Sequence, residues 1–289
     1  AKGSGSDSAA ASEPAASKPP SFAIAGAGAI VTNTTDLDTL ALVDRAVIKA
    51  EGAGTLALTV RALSDLTQVS VAGGGALAMS KNASTTFSAA IAGAVALQKS
   101  DDDTTARIVD SSVTDLADTA TSLNVQAIKS GERTAVATGI SANLSKGSKT
   151  SGSVVGAASV TTTNDDTLAS IENSTVTGNV ANPTATGVTV VAYDRSRIGA
   201  GGGALSVSTG KGSAGVGAAV SIVNAKGSTQ AQVSGGALTQ AHDLSVLALS
   251  SQKVVGVGAV AGVQTSSDST SAGQLMGSFV TNHVSSTVS

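Results

Sequence analysis

The chain contains no cysteine and no tryptophan, and only 1% of its residues are aromatic. The absence of cysteine excludes a disulfide framework and thiolate metal sites. Three Phe and one Tyr cannot supply the large rings that usually fill a globular core. The apolar residues, 41% of the chain, are instead mostly Ala, Val, Leu and Ile, with 33 Gly beside them. The composition therefore predicts a thin core in which backbones approach closely over small side chains.

Charged residues are also few: they make up 13% of the chain, and the net charge is −3. A negative net charge excludes the positive surface potential that nucleic-acid binding requires, so we expect no nucleic-acid partner. The longest weakly polar stretch, 254–263, is shorter than the about 20 apolar residues of a membrane-spanning helix, and we expect no membrane insertion. Residues 1–21 are rich in Ser, Ala, Gly and Pro and are predicted to be a flexible linker.

A repeated motif organises the remaining residues, 22–289. The segment LTVRALSD begins at Leu58 and recurs as LNVQAIKS at Leu123, VTVVAYDR at Val188 and LSVLALSS at Leu244, at intervals of 65, 65 and 56 residues. The first, third and fifth positions of each copy are apolar, and the second is Thr, Asn or Ser. This period of two predicts a strand with one buried face. The repeats also predict that the chain is a piece of a longer protein and ends within a repeat.

The segments that flank the motif keep the same spacing. GGGALAMS at Gly73 matches GGGALSVS at Gly201, and small-residue runs such as AAIAGAVAL and GVGAAVSIV follow. Independent domains of this size would need a dense core or cross-links, which the chain lacks. A solenoid, in which each repeat is stabilised by its neighbours, needs neither. The sequence therefore predicts an all-β parallel β-solenoid of about four repeats of 56–65 residues.

The number of coils in each repeat is less well determined by the sequence. Coils of roughly 20 residues would place three in each repeat, and two wider coils are the alternative. Three coils per repeat predict about 13 coils and a rod about 60 Å long at about 4.8 Å per coil.

These repeats resemble those of very large bacterial surface exoproteins, the filamentous-haemagglutinin-like and leukotoxin-type filamentous adhesins. The features that carry the resemblance are the LTVRA-type strand, the GGGAL step, and the small-residue runs closed by NTTDLDT, SDDDTT or NDDT. The resemblance covers most of residues 22–289. It implies a right-handed β-helix shaft, an extracellular or cell-surface location, and a role in adhesion or biofilm, and it transfers no catalytic residue.

Few side chains are candidates for a binding or metal site. Three groups of carboxylates recur at one place in the repeat, where calcium binding is the alternative to a solvated turn. They are Asp36 and Asp38, Asp101 to Asp103, and Asp165 with Asp166. The fourth repeat has no carboxylate there, so we predict no cofactor, with calcium as the alternative.

The other candidates favour structural roles. His242 and His283 have no partner at ligand spacing, and the glycine runs Gly73–Gly75 and 199–203 lack the remaining residues of calcium or phosphate motifs. Close backbone packing is therefore the prediction for the run at 199–203. Arg195 and Arg197 beside Tyr193 are predicted to form a corner of the rod, with a local binding patch as the alternative. No residue is assigned a catalytic, cofactor-binding or metal-binding role.

Three functions are compatible with such a solenoid. The first is a stalk of an extracellular adhesin or matrix protein, whose partners are flanking repeats of the same polypeptide or other copies of itself, together with an unknown host or matrix ligand. The second is a self-assembling filament subunit with open sheet edges. The third is a β-helical enzyme that acts on polysaccharides, which the regular repeats disfavour because such sites need paired carboxylates in a groove. The chain is therefore predicted not to be an enzyme.

Overall fold

A computed structural model describes residues 21–50, 56–80, 85–117, 122–146, 150–178, 186–266 and 272–289, in which every regular element is a β-strand. The predicted linker lies outside these residues except for Ser21, which begins the first strand. The strands are β1 Ser21–Asp44, β2 Val47–Lys49, β3 Leu58–Ser80, β4 Thr85–Val109, β5 Ser112–Thr114, β6 Leu123–Ser145, β7 Thr150–Glu172, β8 Thr175–Thr177, β9 Gly187–Thr209, β10 Ser213–Ser234, β11 Ala237–Thr239, β12 Asp243–Ser250, β13 Lys253–Thr265 and β14 Gly273–Val288.

The strands form three parallel sheets. The front sheet has the order β1-β4-β7-β10-β14, and the short end sheet has the order β2-β5-β8-β11. The back sheet has the order β3-β6-β9, with β12 and β13 both paired to β9. The chain passes from the front sheet to the end sheet and then to the back sheet in each coil. The predicted all-β parallel solenoid is thus confirmed, whereas the right-handed direction of its coil stays a prediction.

Each repeat forms one coil. Leu58 pairs with Leu123, Leu123 with Val188, and Val188 with Leu244, so equivalent motif positions lie directly above one another. The prediction of three coils per repeat is therefore wrong, and so is the rod of 13 coils. The sequence predicted a solvated turn at the aspartate groups, but Asp101–Asp103 lie inside the unbroken strand β4.

The long strands give the molecule the shape of a slab. A strand of 23 residues, such as β3, β6, β7 or β9, spans about 75 Å at about 3.3 Å per residue. Four or five coils at about 4.8 Å give a stack only about 20 Å high. The slab is therefore several times broader than it is tall, because the polypeptide extends across the coil axis.

A left-handed backbone conformation at the corner between the front sheet and the end sheet recurs in every coil. Arg45, Asp110 and Asn173 have φ of 48°, and Gly235 has φ of 55° at the same place in the fourth coil. Interstrand hydrogen bonds continue through this corner, since the amide of Asp110 donates to the carbonyl of Glu172 at 3.1 Å and that of Asn173 to Ser234 at 2.9 Å. Each coil therefore turns in the same way at this corner, and hydrogen bonds join the corners of successive coils.

The core has two apolar parts with different packing. Where the three sheets meet at the end sheet, larger side chains fill a triangular interior that includes Ile108, Val113, Leu116, Leu123 and Ile171. In the opposite half of the slab, which we call the far half, the front and back sheets face each other directly. Most of the apolar interior there consists of alanine, as in the cluster of Ala72, Ala94, Ala96, Ala135, Ala137 and Ala157. The thin core predicted from the composition is thus present in the far half.

Interior hydroxyl and amide groups in the far half bond across the two sheets. Ser141 donates to the carbonyl of Ala90 at 2.8 Å, Ser221 to that of Ala200 at 2.6 Å, and Asn143 to that of Ser88 at 2.6 Å. These bonds satisfy the buried polar groups and require the two backbones to lie close together. A β-carbon added at Gly202 would lie 2.8 Å from the carbonyl oxygen of Val220 in the facing sheet.

We expect Gly202→Ala to destabilise the fold by about 1–3 kcal/mol, because the added methyl group would force the two sheets apart. The neighbouring substitution Gly201→Ala is the control, since its β-carbon would point outward and make an ordinary 3.7 Å contact with Val136. Chemical denaturation of both variants measures the difference. Equal stabilities would show that the sheets do not approach as closely as described.

Candidate functional site

Four charged side chains are buried together between the front and back sheets, at the boundary between the triangular core and the far half. Lys129 and Arg133 are on β6, and their exposed fraction is 0%. Asp102 on β4 and Asp165 on β7 face them from the front sheet and are 0% and 1% exposed. We call these four residues the charged cluster. Its burial distinguishes it from the other ion pairs of the described residues, which are at least partly exposed.

The two cations of the charged cluster each contact both carboxylates. The Nζ atom of Lys129 lies 3.1 Å from Oδ1 of Asp165 and 3.6 Å from Oδ2 of Asp102. The guanidinium of Arg133 lies 2.6 Å from Oδ2 of Asp102 and 3.5 Å from Oδ2 of Asp165. Lys129 also donates a short hydrogen bond to the main-chain oxygen of Asp102. Removal of one partner would leave an uncompensated buried charge, which is strongly destabilising.

The two carboxylates of the charged cluster have different surroundings. Asp102 accepts hydrogen bonds from Ser64 at 3.1 Å and from Arg133 at 2.6 Å. Within the part of the chain that the structure describes, neither oxygen of Asp165 accepts a well-aligned hydrogen bond. Burial raises the pKa of Asp165 to about 6, an effect that the nearby charges of Lys129 and Arg133 only partly offset.

A fifth buried charge adjoins the charged cluster. Asp194 of β9 pairs in register with Lys129 and has an exposed fraction of 0%. Its carboxylate accepts hydrogen bonds from Ser196 and Gln252, both at 2.6 Å. Arg133 approaches the hydroxyl of Ser196 at 3.4 Å, so one polar network extends over three coils of the back sheet.

The predicted carboxylate groups are divided between the two faces of the front sheet. Asp102 and Asp165 point inward, whereas the outward positions form a ladder on the surface. The ladder pairs Asp36 with Asp101 and Asp38 with Asp103, and Asp103 pairs in turn with Asp166. The prediction of a solvated turn at these residues is wrong, because they lie in the middle of β1, β4 and β7.

Repulsion within this ladder affects the titration of Asp103. Partial burial and the charges of Asp166, Asp101 and Asp38 raise its pKa above the usual value. Asn164 relieves part of the repulsion by donating to Asp101 at 3.1 Å, and Ser228 does so by donating to Asp166. In the described ranges, no group of three or more His, Cys, Asp or Glu side chains is arranged to hold a metal ion. The prediction of no cofactor, with calcium as the alternative, stays a prediction.

The predicted group of Tyr193, Arg195 and Arg197 lies on the outer face of β9, so the prediction of a corner is wrong. All three side chains occupy alternate outward positions near the middle of the strand. The two arginines line a shallow depression of about 280 Å³ that also includes Thr67, Ser130 and Glu132. The local binding patch stays a hypothesis.

The other sequence candidates are dispersed. His242 follows β11 in a loop, and His283 is on β14 in register with Asn224. Within the run at 199–203, only Gly202 makes the predicted close backbone packing, while Gly201 and Gly203 lie on the outer face against Val136 and Thr138. Gly74 of the earlier glycine run faces Gly93 in the same close manner.

The outer faces of the far half are unusually apolar. On the front sheet, a trough of small residues runs along the stack beside a row of larger apolar side chains, and the resulting groove has a volume of about 680 Å³. The trough comprises Gly28, Gly93, Gly156, Ala218 and Gly277, and the row comprises Ile30, Val95, Ala158, Val220 and Phe279. Parallel sheets are usually covered on both faces, so these exposed surfaces are exceptional.

The sequence contained a signal for the charged cluster that the prediction missed. In the motif at Leu123 the inward positions are every second residue, and the fourth of them is Lys129. Equivalent positions in the neighbouring coils hold Ser64 and Asp194, which are also buried. Continuing the alternation of inward and outward positions past Leu123, Val125 and Ala127 would therefore have predicted that Lys129 lies in the core.

Comparisons of the chain with protein-family models, with curated proteins and with solved structures found no match. The described residues include no helix of the length and hydrophobicity that a membrane span requires.

We expect Asp103→Asn to stabilise the fold at neutral pH by roughly 0.5 kcal/mol at low salt, because it removes like charges that face each other across strands. A raised pKa means that protonated Asp103 stabilises the fold below the usual carboxyl pKa, and that this contribution is lost as the pH rises through the raised value. The benefit of the substitution should therefore disappear in acid. Denaturation at several pH values measures it, with Asp65→Asn as the control because Asp65 pairs in register with Ser130. Equal effects of the two substitutions would contradict the repulsion.

Proposed function

We propose that this chain is a shaft module of a large extracellular bacterial adhesin or matrix protein, which supports cell-surface attachment or biofilm formation. The observation that carries the proposal is that each repeat adds one whole coil in register with the last. Such a module sets the dimensions of a larger particle. The extracellular location and the adhesive role rest on the resemblance of the repeats to those of filamentous adhesins.

The degree of burial along one interior column shows how neighbouring coils stabilise each other. Val43, Ile108, Ile171 and Val233 occupy equivalent inward positions in four successive coils. The middle two are 0% and 1% exposed, whereas Val43 and Val233 are only partly buried. A coil is therefore fully packed only between two others, as in other solenoids.

A self-assembling extracellular subunit is the second candidate. The apolar outer faces of the far half favour it, because association of two slabs through these faces would cover residues such as Ile30, Val71 and Phe279, which are 75%, 61% and 59% exposed. This candidate predicts assemblies that grow with protein concentration, which the shaft module does not.

Insertion of extra copies of the interior coil 123–187 tests the shaft function. We expect each copy to lengthen the particle by about 4.8 Å along the stack, with the width of about 75 Å unchanged. Electron microscopy of the chain with and without several inserted coils measures both dimensions. Filaments far longer than the chain would favour self-assembly instead, and compact globules would contradict the shaft function.

Antibodies raised against the purified chain test the proposed location. We expect them to label intact cells of the source organism, and we expect a protease added outside the cells to abolish the labelling. An antibody against a cytoplasmic protein should label only lysed cells. Labelling by both antibodies only after lysis would contradict an extracellular shaft.

A further inference from the structure

The charged cluster combines three features that favour covalent bond formation between an amine and a carboxyl group. An amine and a carboxyl group are in contact, since Nζ of Lys129 lies 3.1 Å from Oδ1 of Asp165. Both side chains are excluded from water, with exposed fractions of 0% and 1%. A second carboxylate, that of Asp102, lies 3.6 Å from the same amine. We propose that Lys129 and Asp165 form an intramolecular isopeptide bond, with Asp102 as the proton-transferring group.

The two carboxyl groups are suited to different parts of this reaction. Burial raises the pKa of Asp165 to about 6, so its protonated and electrophilic form is more readily populated than that of an exposed aspartate. Asp102 accepts hydrogen bonds from Ser64 and Arg133, which hold its carboxyl group in place beside the amine of Lys129. A pair of carboxyl groups with opposed environments is the usual arrangement for one acid and one base.

The reaction balances without an external reagent. A proton moves from the ammonium of Lys129 to the carboxylate of Asp165, and the dry site favours the resulting neutral pair. The lone pair of Nζ then attacks Cγ of Asp165 and forms the C–N bond. Asp102 accepts a proton from the nitrogen and returns it to the departing hydroxyl group, so that the C–O bond breaks and one water leaves. Asp102 is regenerated as a carboxylate.

Arg133 is positioned to assist this step. Its guanidinium lies 3.5 Å from Oδ2 of Asp165, the oxygen that carries negative charge in the tetrahedral intermediate. A fixed cation at a developing oxyanion stabilises it effectively in a site without water. The short hydrogen bond from Lys129 to the main-chain oxygen of Asp102 holds the amine between the two carboxyl groups.

The bond would connect the two long sheets. Lys129 is on β6 in the back sheet, and Asp165 is on β7, the strand that follows it along the chain, in the front sheet. An amide at this place would prevent the two sheets from separating. The inference concerns the chemistry of the interior, so it stands whether or not the chain is a shaft module.

The intact mass of the purified, denatured chain tests the inference. We expect it to be about 18 Da below the mass calculated from the sequence, because formation of the amide releases one water. Trypsin should then leave the peptide that contains Lys129 joined to the peptide that contains Asp165, and fragmentation should place the linkage at these two residues. This measurement on the unsubstituted chain does not depend on whether any variant folds.

Substitutions separate this bond from other dehydrations. Lys129→Arg keeps the positive charge and should restore the full mass, whereas the exposed control Lys99→Arg should retain the loss. Asp102→Asn should slow or prevent bond formation, with circular dichroism used to confirm that the strands form. A folded, unsubstituted chain that shows the full mass after prolonged incubation would overturn the inference. A loss of water that fragmentation maps to other residues would overturn it as well.

Discussion

The close approach of two flat sheets is the constraint on which the rest of this structure depends. In the far half, the front and back sheets are held together by hydroxyl groups that donate to main-chain carbonyls of the facing sheet, such as that of Ser141 to Ala90. This spacing favours small side chains, and at Gly202 it leaves no room even for a β-carbon, which would meet the carbonyl oxygen of Val220. The near absence of aromatic residues follows, because an interior this thin has no volume for a ring. Phe22, Phe87, Tyr193 and Phe279 all occupy outward positions on their strands.

The charged cluster lies where this thin interior widens toward the end sheet. Lysine and arginine side chains are long enough to cross the wider gap, and two aspartates of the front sheet neutralise them there. Small apolar residues would leave a void at this place, and large ones would have to match the taper between the two parts of the core. The charged cluster therefore occupies the place where the two parts of the core meet. Its exclusion from water favours the reaction proposed for Lys129 and Asp165.

The sequence predicted the architecture well and the size of the coil poorly. The period of two and the spacing of the motif were sufficient to predict parallel stacking, because Leu58, Leu123, Val188 and Leu244 do stack on one another. The aspartate groups were interpreted as turns, since aspartate is usually depleted from strands. Here the aspartates and the glycine runs both lie within strands: Gly74 permits the close approach of the sheets, and Asp102 pairs with buried cations. Their roles depend on the facing sheet, which local sequence does not reveal.

The breadth of the coil has a mechanical consequence. About 65 residues extend the stack by only about 4.8 Å. A particle built from such coils is therefore short for its number of residues and has a large cross-section. This cross-section is about 75 Å wide and only two sheets thick. Its resistance to bending therefore depends on the direction of the load. Load applied along the broad dimension meets strands aligned with it, whereas load across the thin dimension acts only on the contact between two sheets. A long assembly of these coils would therefore bend easily across its thin dimension and resist bending along its broad dimension.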